Sequence, residues 1–396
     1  MRIPTSGLAS FVLVAMLTGC GATSPPSSLP NAPGASGLAA RTATRADGFT
    51  AIYSFRGGSG DGAYPNGGLT VAYGVLYGTT AGGGPTGAGT IYGIGTSGAE
   101  SPVHVFTGDP DGDDPWPPPI ASNGRLYGTT AGGGSNNLGA VFEITRTGTE
   151  RILYSFAGGS DGVQPIAGLI AYRGILYGAT LYGGTNSDGT IFAMTPAGAE
   201  TVLHSFGGGA DGTNPYTTPT PYHGVLYGTA VNGGEYGGGT IFTLGPSGAY
   251  TTIYNFGGTA GDGVSPRGAL VVVRGTLYGT TEFGGAYGQG TVYAVSPSGE
   301  ERIVHSFGSG DAEDPTDGLF YWHGAFYGTG YQGGAYAQGA VFKIARSGRE
   351  RVLHSFTGGY DGAHPWGTLA IANDALYGTA SLGGSSGIGT VFRITR

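Results

Sequence analysis

A Leu-Tyr-Gly or Phe-Tyr-Gly tripeptide recurs through this chain, with its tyrosine at Tyr77, Tyr127, Tyr177, Tyr227, Tyr278, Tyr327 and Tyr377, spaced 49 to 51 residues apart. A second signature keeps step with it, a Tyr or His two residues before Phe55, Phe106, Phe156, Phe206, Phe256, Phe307 and Phe356. Each series has seven members. A chain made of seven copies of one unit solves one packing problem seven times, which leaves only repeat architectures open to it.

The copy at residues 169–206 shows what the unit is. Four apolar runs, at 169–172, 175–180, 190–195 and 201–206, are separated by an Arg-Gly turn, a Gly-rich loop and a Pro-Ala-Gly turn. Short runs rich in Val, Ile, Thr, Tyr and Phe between Gly and Pro clusters are strands. The unit is therefore expected to be a four-stranded antiparallel meander, strands A to D. The 85 glycines fall at its turns, without collagen's three-residue period. Four strands at this period predict a β-propeller.

The phase of the count adds closure. The folded region, residues 48–396, opens on a D strand and ends on a C strand. The expected fold is all-β: a seven-bladed propeller of four-stranded blades, closed by pairing of the N-terminal strand with the C-terminal blade. Closure covers strand edges that would otherwise be open to aggregation.

Residues 1–20 carry Arg2, a short apolar region over 7–17 and then Leu17-Thr18-Gly19-Cys20. The run is too short to span a membrane and resembles a bacterial lipoprotein signal peptide with its lipobox, in which Cys20 is lipidated. Gly21, rather than Asp, follows it, which by the same resemblance implies the outer membrane. The plain alternative is an ordinary secretory signal. Residues 21–47 read as a flexible Ser/Pro/Ala tether. Cys20 is the sole cysteine, so no internal disulfide exists. The expectation is an exported, lipid-anchored monomer on the periplasmic or cell-surface side. With a net charge of -8 and 11% charged residues, the chain repels a phosphate backbone, so nucleic acid is not expected as a partner.

The recurring skeleton, LYGTT, a Gly pair, Gly-Thr-Ile/Val-Phe, Pro-Ser-Gly-Glu and Leu-His-Ser-Phe, resembles the bacterial choice-of-anchor, or GloVer, tandem repeat over residues 49–396. That resemblance implies attachment to cells by varied anchors and carries over no catalytic residue. Kelch propellers share the period but expect a Trp in each blade, whereas only Trp116, Trp322 and Trp366 occur here.

Residues repeated in every blade read as structural. Asp-Gly-x-x-Pro in the D-to-A link (Asp61 and Pro65, Asp161 and Pro165, for example) is turn chemistry, with Asp bonding backbone two residues on. His104, His204, His305 and His354 alternate with Tyr on strand D and lie on different blades, too far apart to share a metal. His223 and His323 fall in A-to-B turns and are expected to be solvated.

Function is expected where copies differ. D-to-A and B-to-C loops share one rim, and that rim varies. The residue after the link proline is Asn66, Trp116, Ile166, Tyr216, Arg267, Thr316 or Trp366. Trp116, Tyr216 and Trp366 are candidate stacking platforms for sugar rings, and the B-to-C loops add Tyr182, Tyr236, Tyr287 and Tyr331. The alternative is that these rings plug the channel or pad the loops. The acidic link Asp109, Asp111, Asp113, Asp114 is a weak calcium candidate, without EF-hand spacing, against the reading of a solvated turn. No cofactor is otherwise expected.

No nucleophile elbow, zinc-protease helix or Walker loop occurs. The expected role is a non-catalytic module binding a glycan or cell-surface polymer. A scaffold for an envelope protein complex is the first alternative, and a polysaccharide hydrolase or lyase, built on rim carboxylates such as Glu235, Glu282 and Asp188, is the second.

Overall fold

The computed structural model describes residues 48–145 and 148–395; Cys20 and the tether lie outside them. Seven four-stranded antiparallel sheets form the seven blades. In blade three, Leu169–Tyr172, Ile175–Thr180, Thr190–Met194 and Glu200–Ser205 are strands A to D from the inside outward. Blade seven takes strand D from the other end of the chain: Phe49–Ser54 pairs with Thr390–Ile394, Phe49 opposite Ile394 and Ser54 opposite Thr390. The expected closure is the observed one.

The repeated residues explain how one blade is made. Gly178 in strand B lies opposite Phe192 in strand C. A Cβ on Gly178 would run into the Phe192 ring, so the glycine of Leu-Tyr-Gly clears the space that the strand C aromatic fills. The C–D ladder carries a register shift, between Ile191 and Phe192 in this blade, which adds twist at the outer edge. The Thr pair ending strand B is also structural. Thr180 Oγ1 donates to the Tyr182 carbonyl at 2.9 Å and meets Thr190 Oγ1 at 2.8 Å.

The core lies between blades, in slabs shared by two neighbours. The Phe ending each strand D is fully buried and enters the next blade against its strand C aromatic. Phe55 meets Tyr92, Phe156 meets Phe192 and Phe356 meets Phe392 edge-on, with centroids 5.1, 5.4 and 5.3 Å apart. Burying each such ring stabilises the ring of blades by about 2–3 kcal/mol, plus about 1 kcal/mol for the edge-to-face pair. Phe55 and Phe356 flank blade seven, so the ladder runs through the closure.

A polar junction lies outside each aromatic contact. It joins the Tyr or His of strand D, the Asp of the following link and the first residue of the next strand D. At the first, Tyr53 Oη donates to Asp61 Oδ2 and lies equally close to Glu100 Oε2, both at 3.1 Å. Tyr154 with Asp161 and Glu200, and Tyr254 with Asp262 and Glu301, repeat it. The carboxyls of Glu200 and Glu301 are pushed up to about 7, first by burial and then by the neighbouring Asp. His104 with Asp111 and Glu150, and His305 with Asp311 and Glu350, put an imidazole in the phenol's place. In the last two junctions the Glu is replaced by a ring: His204 stacks on Tyr250 at 3.9 Å and His354 on Phe49 at 3.6 Å.

The link Asp works differently from the expected turn bond. Asp161 Oδ2 reaches back to the amide of Ala157 at 2.8 Å, and Oδ1 takes the amide of Gly162 at 2.7 Å. The short link curls around its carboxylate because both ends of the loop donate to it.

Candidate functional site: the mouth of the central channel

The shared rim of the D-to-A and B-to-C loops is built by backbone pairing between them, as where Gly162–Val163 pairs with Tyr182–Gly183. The residue before each link proline has a left-handed backbone: Tyr64, Asp114, Gln164, Asn214, Ser265, Asp314 and His364 have φ between 51° and 61°. Such strain persists only where the surroundings fix it, at a cost of about 1–3 kcal/mol each. Here both backbone groups are tied. The Asp114 amide donates to Ala88 O in the preceding blade at 3.0 Å, and its carbonyl accepts from the Ala131 amide at 3.0 Å. The proline that follows packs on the Gly before strand C of the preceding blade, Pro115 on Gly89 and Pro165 on Gly139 among others.

These fixed links aim the next residue inward. All seven post-proline residues, Asn66, Trp116, Ile166, Tyr216, Arg267, Thr316 and Trp366, line one cavity of about 290 Å³ on the channel axis. The Thr after the Tyr-Gly of strand B holds this ring from behind: Thr79 Oγ1 donates to Trp116 O at 2.9 Å, Thr280 Oγ1 to Asp317 O at 2.8 Å and Thr379 Oγ1 to Trp366 O at 2.8 Å.

The cavity has an aromatic side and a charged side. Trp116 and Trp366 meet edge to face with centroids 6.0 Å apart, and Tyr331 meets Trp366 edge-on at 5.2 Å while stacking on His364 at 4.5 Å. The Trp116 indole N–H is buried without a hydrogen-bond partner in good geometry and faces the Asp114 carboxylate, whose pKa burial raises. Across from them the Arg267 guanidinium lies over the Tyr216 ring, 4.9 Å from its centroid. Its Nε stands 2.6 Å from Glu282 Oε2, an ion pair off the hydrogen-bond axis. The Tyr216 hydroxyl is pushed up to about 12 by burial, against the pull of Arg267. Asp317 adds an acid held up by burial, with Oδ1 accepting from the Gly318 amide at 2.6 Å and Thr368 Oγ1 at 2.7 Å.

The candidates from sequence therefore divide. Trp116, Tyr216 and Trp366 converge on one cavity, with Tyr331 supporting Trp366 from its edge. Tyr182, Tyr236 and Tyr287 are exposed on the rim, at 46%, 55% and 70%. The rings of Tyr236 and Tyr287 also cover Gly258 and Gly308 of the links, so part of each face pads a loop. The acidic link does not gather its carboxylates. Asp111 turns to His104 and Thr107, Asp114 faces the Trp116 indole, Asp109 is exposed, and none of Asp109, Asp113 and Asp114 joins Asp111 in a ligand cluster among the described residues. His223 and His323 are exposed in their turns. Arg267, a charged group of the cavity wall, was not singled out by sequence as a site residue. Arg267 stood in the variable series, but only its aromatic members were taken from it.

The Gloeobacter/Verrucomicrobia repeat matches residues 31–230 and 218–396. The chain belongs to this repeat family. No curated protein matches it. Among solved structures it is similar to a gluconolactonase from Xanthomonas campestris, at 13% identity over 73% of this chain and 98% of that one, TM-score 0.41. It is also similar to a putative gluconolactonase (14% identity, 65% and 80% covered, TM-score 0.38) and to a puromycin hydrolase (11% identity, 79% and 58% covered, TM-score 0.44). None of these likenesses assigns a reaction to the family member described here.

Proposed function

We propose that this propeller is a non-catalytic binding module that takes a sugar unit of a glycan or cell-surface polymer into the mouth of its channel, held at the cell envelope by a lipid on Cys20. One observation carries the reading: a position that takes six residue types in the seven copies lines the cavity in every copy. A repeat that needed only a plug would have no reason to place Asn, Trp, Ile, Tyr, Arg, Thr and Trp at equivalent sites. Trp116, Trp366 and Tyr216 offer apolar faces to a pyranose ring, while Arg267 and Asp317 offer a donor and an acceptor to its hydroxyls. At about 290 Å³ the cavity is at the small end of ligand sites, suited to a terminal sugar unit rather than a long run of polymer.

The test is calorimetric titration of the full chain carrying Cys20→Ser with neutral sugars, uronic acids and their oligomers. A Trp116→Ala/Trp366→Ala variant runs beside it. The module reading expects binding that the variant loses while it keeps a cooperative melting transition. Absence of binding to every member of the panel overturns it and leaves the exposed tyrosines of the rim as the place to seek a protein partner.

A further inference from the structure

We propose that His305, Asp311 and Glu350 form a site for one divalent first-row transition ion between blades five and six, and that His104, Asp111 and Glu150 repeat it between blades one and two. In each triad one ligand atom per residue lies within 4.8 Å of the other two.

The geometry at His305 shows why a cation belongs there. Its Nδ1 is 3.0 Å from the Gly348 carbonyl. A carbonyl only accepts, so Nδ1 carries a hydrogen and Nε2 is the ring nitrogen that faces the other side. On that side stand Asp311 Oδ2 at 3.7 Å and Glu350 Oε2 at 3.5 Å. Nε2 is buried and has no hydrogen-bond partner. Three possible ligand atoms thus face one point, at separations long for hydrogen bonds. They suit neighbouring corners of a coordination shell, where metal bonds of about 2.0–2.2 Å put ligand atoms about 3.3–3.6 Å apart. A backbone carbonyl that fixes the tautomer from behind is the usual support of a metal-binding imidazole. Glu350 is 5% exposed, and its Oε1 takes the Ala312 amide at 3.2 Å, which leaves Oε2 for the site.

At the second triad, His104 Nε2 is 3.2 Å from Asp111 Oδ1, and Glu150 Oε1 is buried without a partner. A surface groove lined by His104, Asp111, Ser135, Glu150 and Ser155 opens onto it and gives an ion a way in from solvent.

The other junctions act as internal controls. At Tyr53 and Tyr154 a phenol hydrogen fills the place between the acids. At His204 and His354 a stacked ring replaces the second oxygen ligand. The full set occurs only where His and Glu coincide. One imidazole with two carboxylates suits zinc and its neighbours, whereas calcium takes about 6–8 oxygens.

The experiment is calorimetric titration of the full Cys20→Ser chain, stripped with EDTA, with ZnCl2 and separately with CaCl2. The Cys20→Ser change removes a competing thiol. Two zinc ions per chain are expected, matching the two triads, with calcium much weaker. His104→Tyr or His305→Tyr should remove one ion each, and the double variant both. Tyrosine already occupies this position at Tyr53, Tyr154 and Tyr254, so the change installs a bridge the repeat uses elsewhere. Glu150→Gln/Glu350→Gln supplies a second ligand-deficient pair should the tyrosine variants fold poorly. Zinc should raise the melting temperature of the Cys20→Ser parent and not of the double variants. A parent that takes up no zinc, or double variants that bind as much as the parent, overturn the proposal.

Discussion

Pro65 packs directly on Gly389, the first link of the ring against the last blade to be completed. Their contact repeats the one between Pro115 and Gly89, so the closure is held by the same joint as every other boundary. Gly389 has φ +111°, and a Cβ there would overlap the proline ring. Gly389→Ala is expected to destabilise the propeller by about 2–4 kcal/mol, from strain and overlap together. Gly387→Ala, at φ +76° with nothing within 4 Å, should cost only about 1–2 kcal/mol. Urea unfolding of the two variants checks the difference; equal losses would show that the Pro65 contact is slack.

The seam has a second fastener in Phe49, which is 1% exposed, stacks on His354 at 3.6 Å and meets Phe356 edge-on. Phe49→Ala should cost about 3–5 kcal/mol. Hydrogen exchange should speed up first along the 390–394 strand, which loses its only outer neighbour when 49–54 detaches. Uniform acceleration through all seven blades would count against a local latch.

Protonation of the tyrosine junctions sets a pH dependence. Glu200 and Glu301 rise from the ordinary carboxylate value to about 7, because burial and the neighbouring Asp161 or Asp262 disfavour their charge. A carboxyl raised in the folded state holds its proton more tightly there than in the unfolded chain. Their contribution is therefore fully present below about pH 4.5 and is lost as pH rises through about 7. Both groups are half-exposed, so solvent screening reduces the size of the effect. The melting temperature should be higher near pH 5.5 than near pH 8, and Glu200→Gln/Glu301→Gln should flatten that slope. A slope unchanged in the variant would assign it to other groups.

The junction between blades three and four lacks only an oxygen. Tyr250 stands where five other junctions carry Glu, with His204 and Asp211 already 3.1 Å apart. Tyr250→Glu should raise zinc uptake from two ions to three per chain while lowering stability through loss of the stacked ring. An unchanged count by calorimetry would show that the triad's spacing at His305 and His104 is not transferable.

The propeller was legible in the sequence because its signal is repeated. Strand number, blade count, closure and the sorting of loops between rims follow from Tyr77 to Tyr377 and from a D strand that comes first. The variable position pointed to the cavity for the same reason: Trp116, Tyr216 and Trp366 differ against a constant background. What stayed hidden runs sideways. Strand period says which face a side chain takes, but gives no register between sheets. The Phe55–Tyr92 contact, the Pro65–Gly389 contact and the Tyr53–Asp61–Glu100 junction all join neighbouring blades. A trace did exist, since Glu100, Glu150, Glu200, Glu301 and Glu350 recur as regularly as the link Asp. In the acidic link, closeness in sequence is not convergence: Asp111 turns to His104 and Thr107, while Asp114 faces the Trp116 indole.

Closure by the 49–54 strand also fixes a timetable. That strand is the first part of the propeller to leave the ribosome, and its partner at 390–394 is the last. Blades one to six can assemble on a growing chain, but the apolar Phe-Thr-Ala-Ile-Tyr-Ser segment must wait for 390–394 to be made. During that interval it is an unpaired edge of the kind that chaperones hold and neighbouring chains capture. A chain in which 390–394 has not yet been made leaves 49–54 without its partner, and its ring stays unsealed.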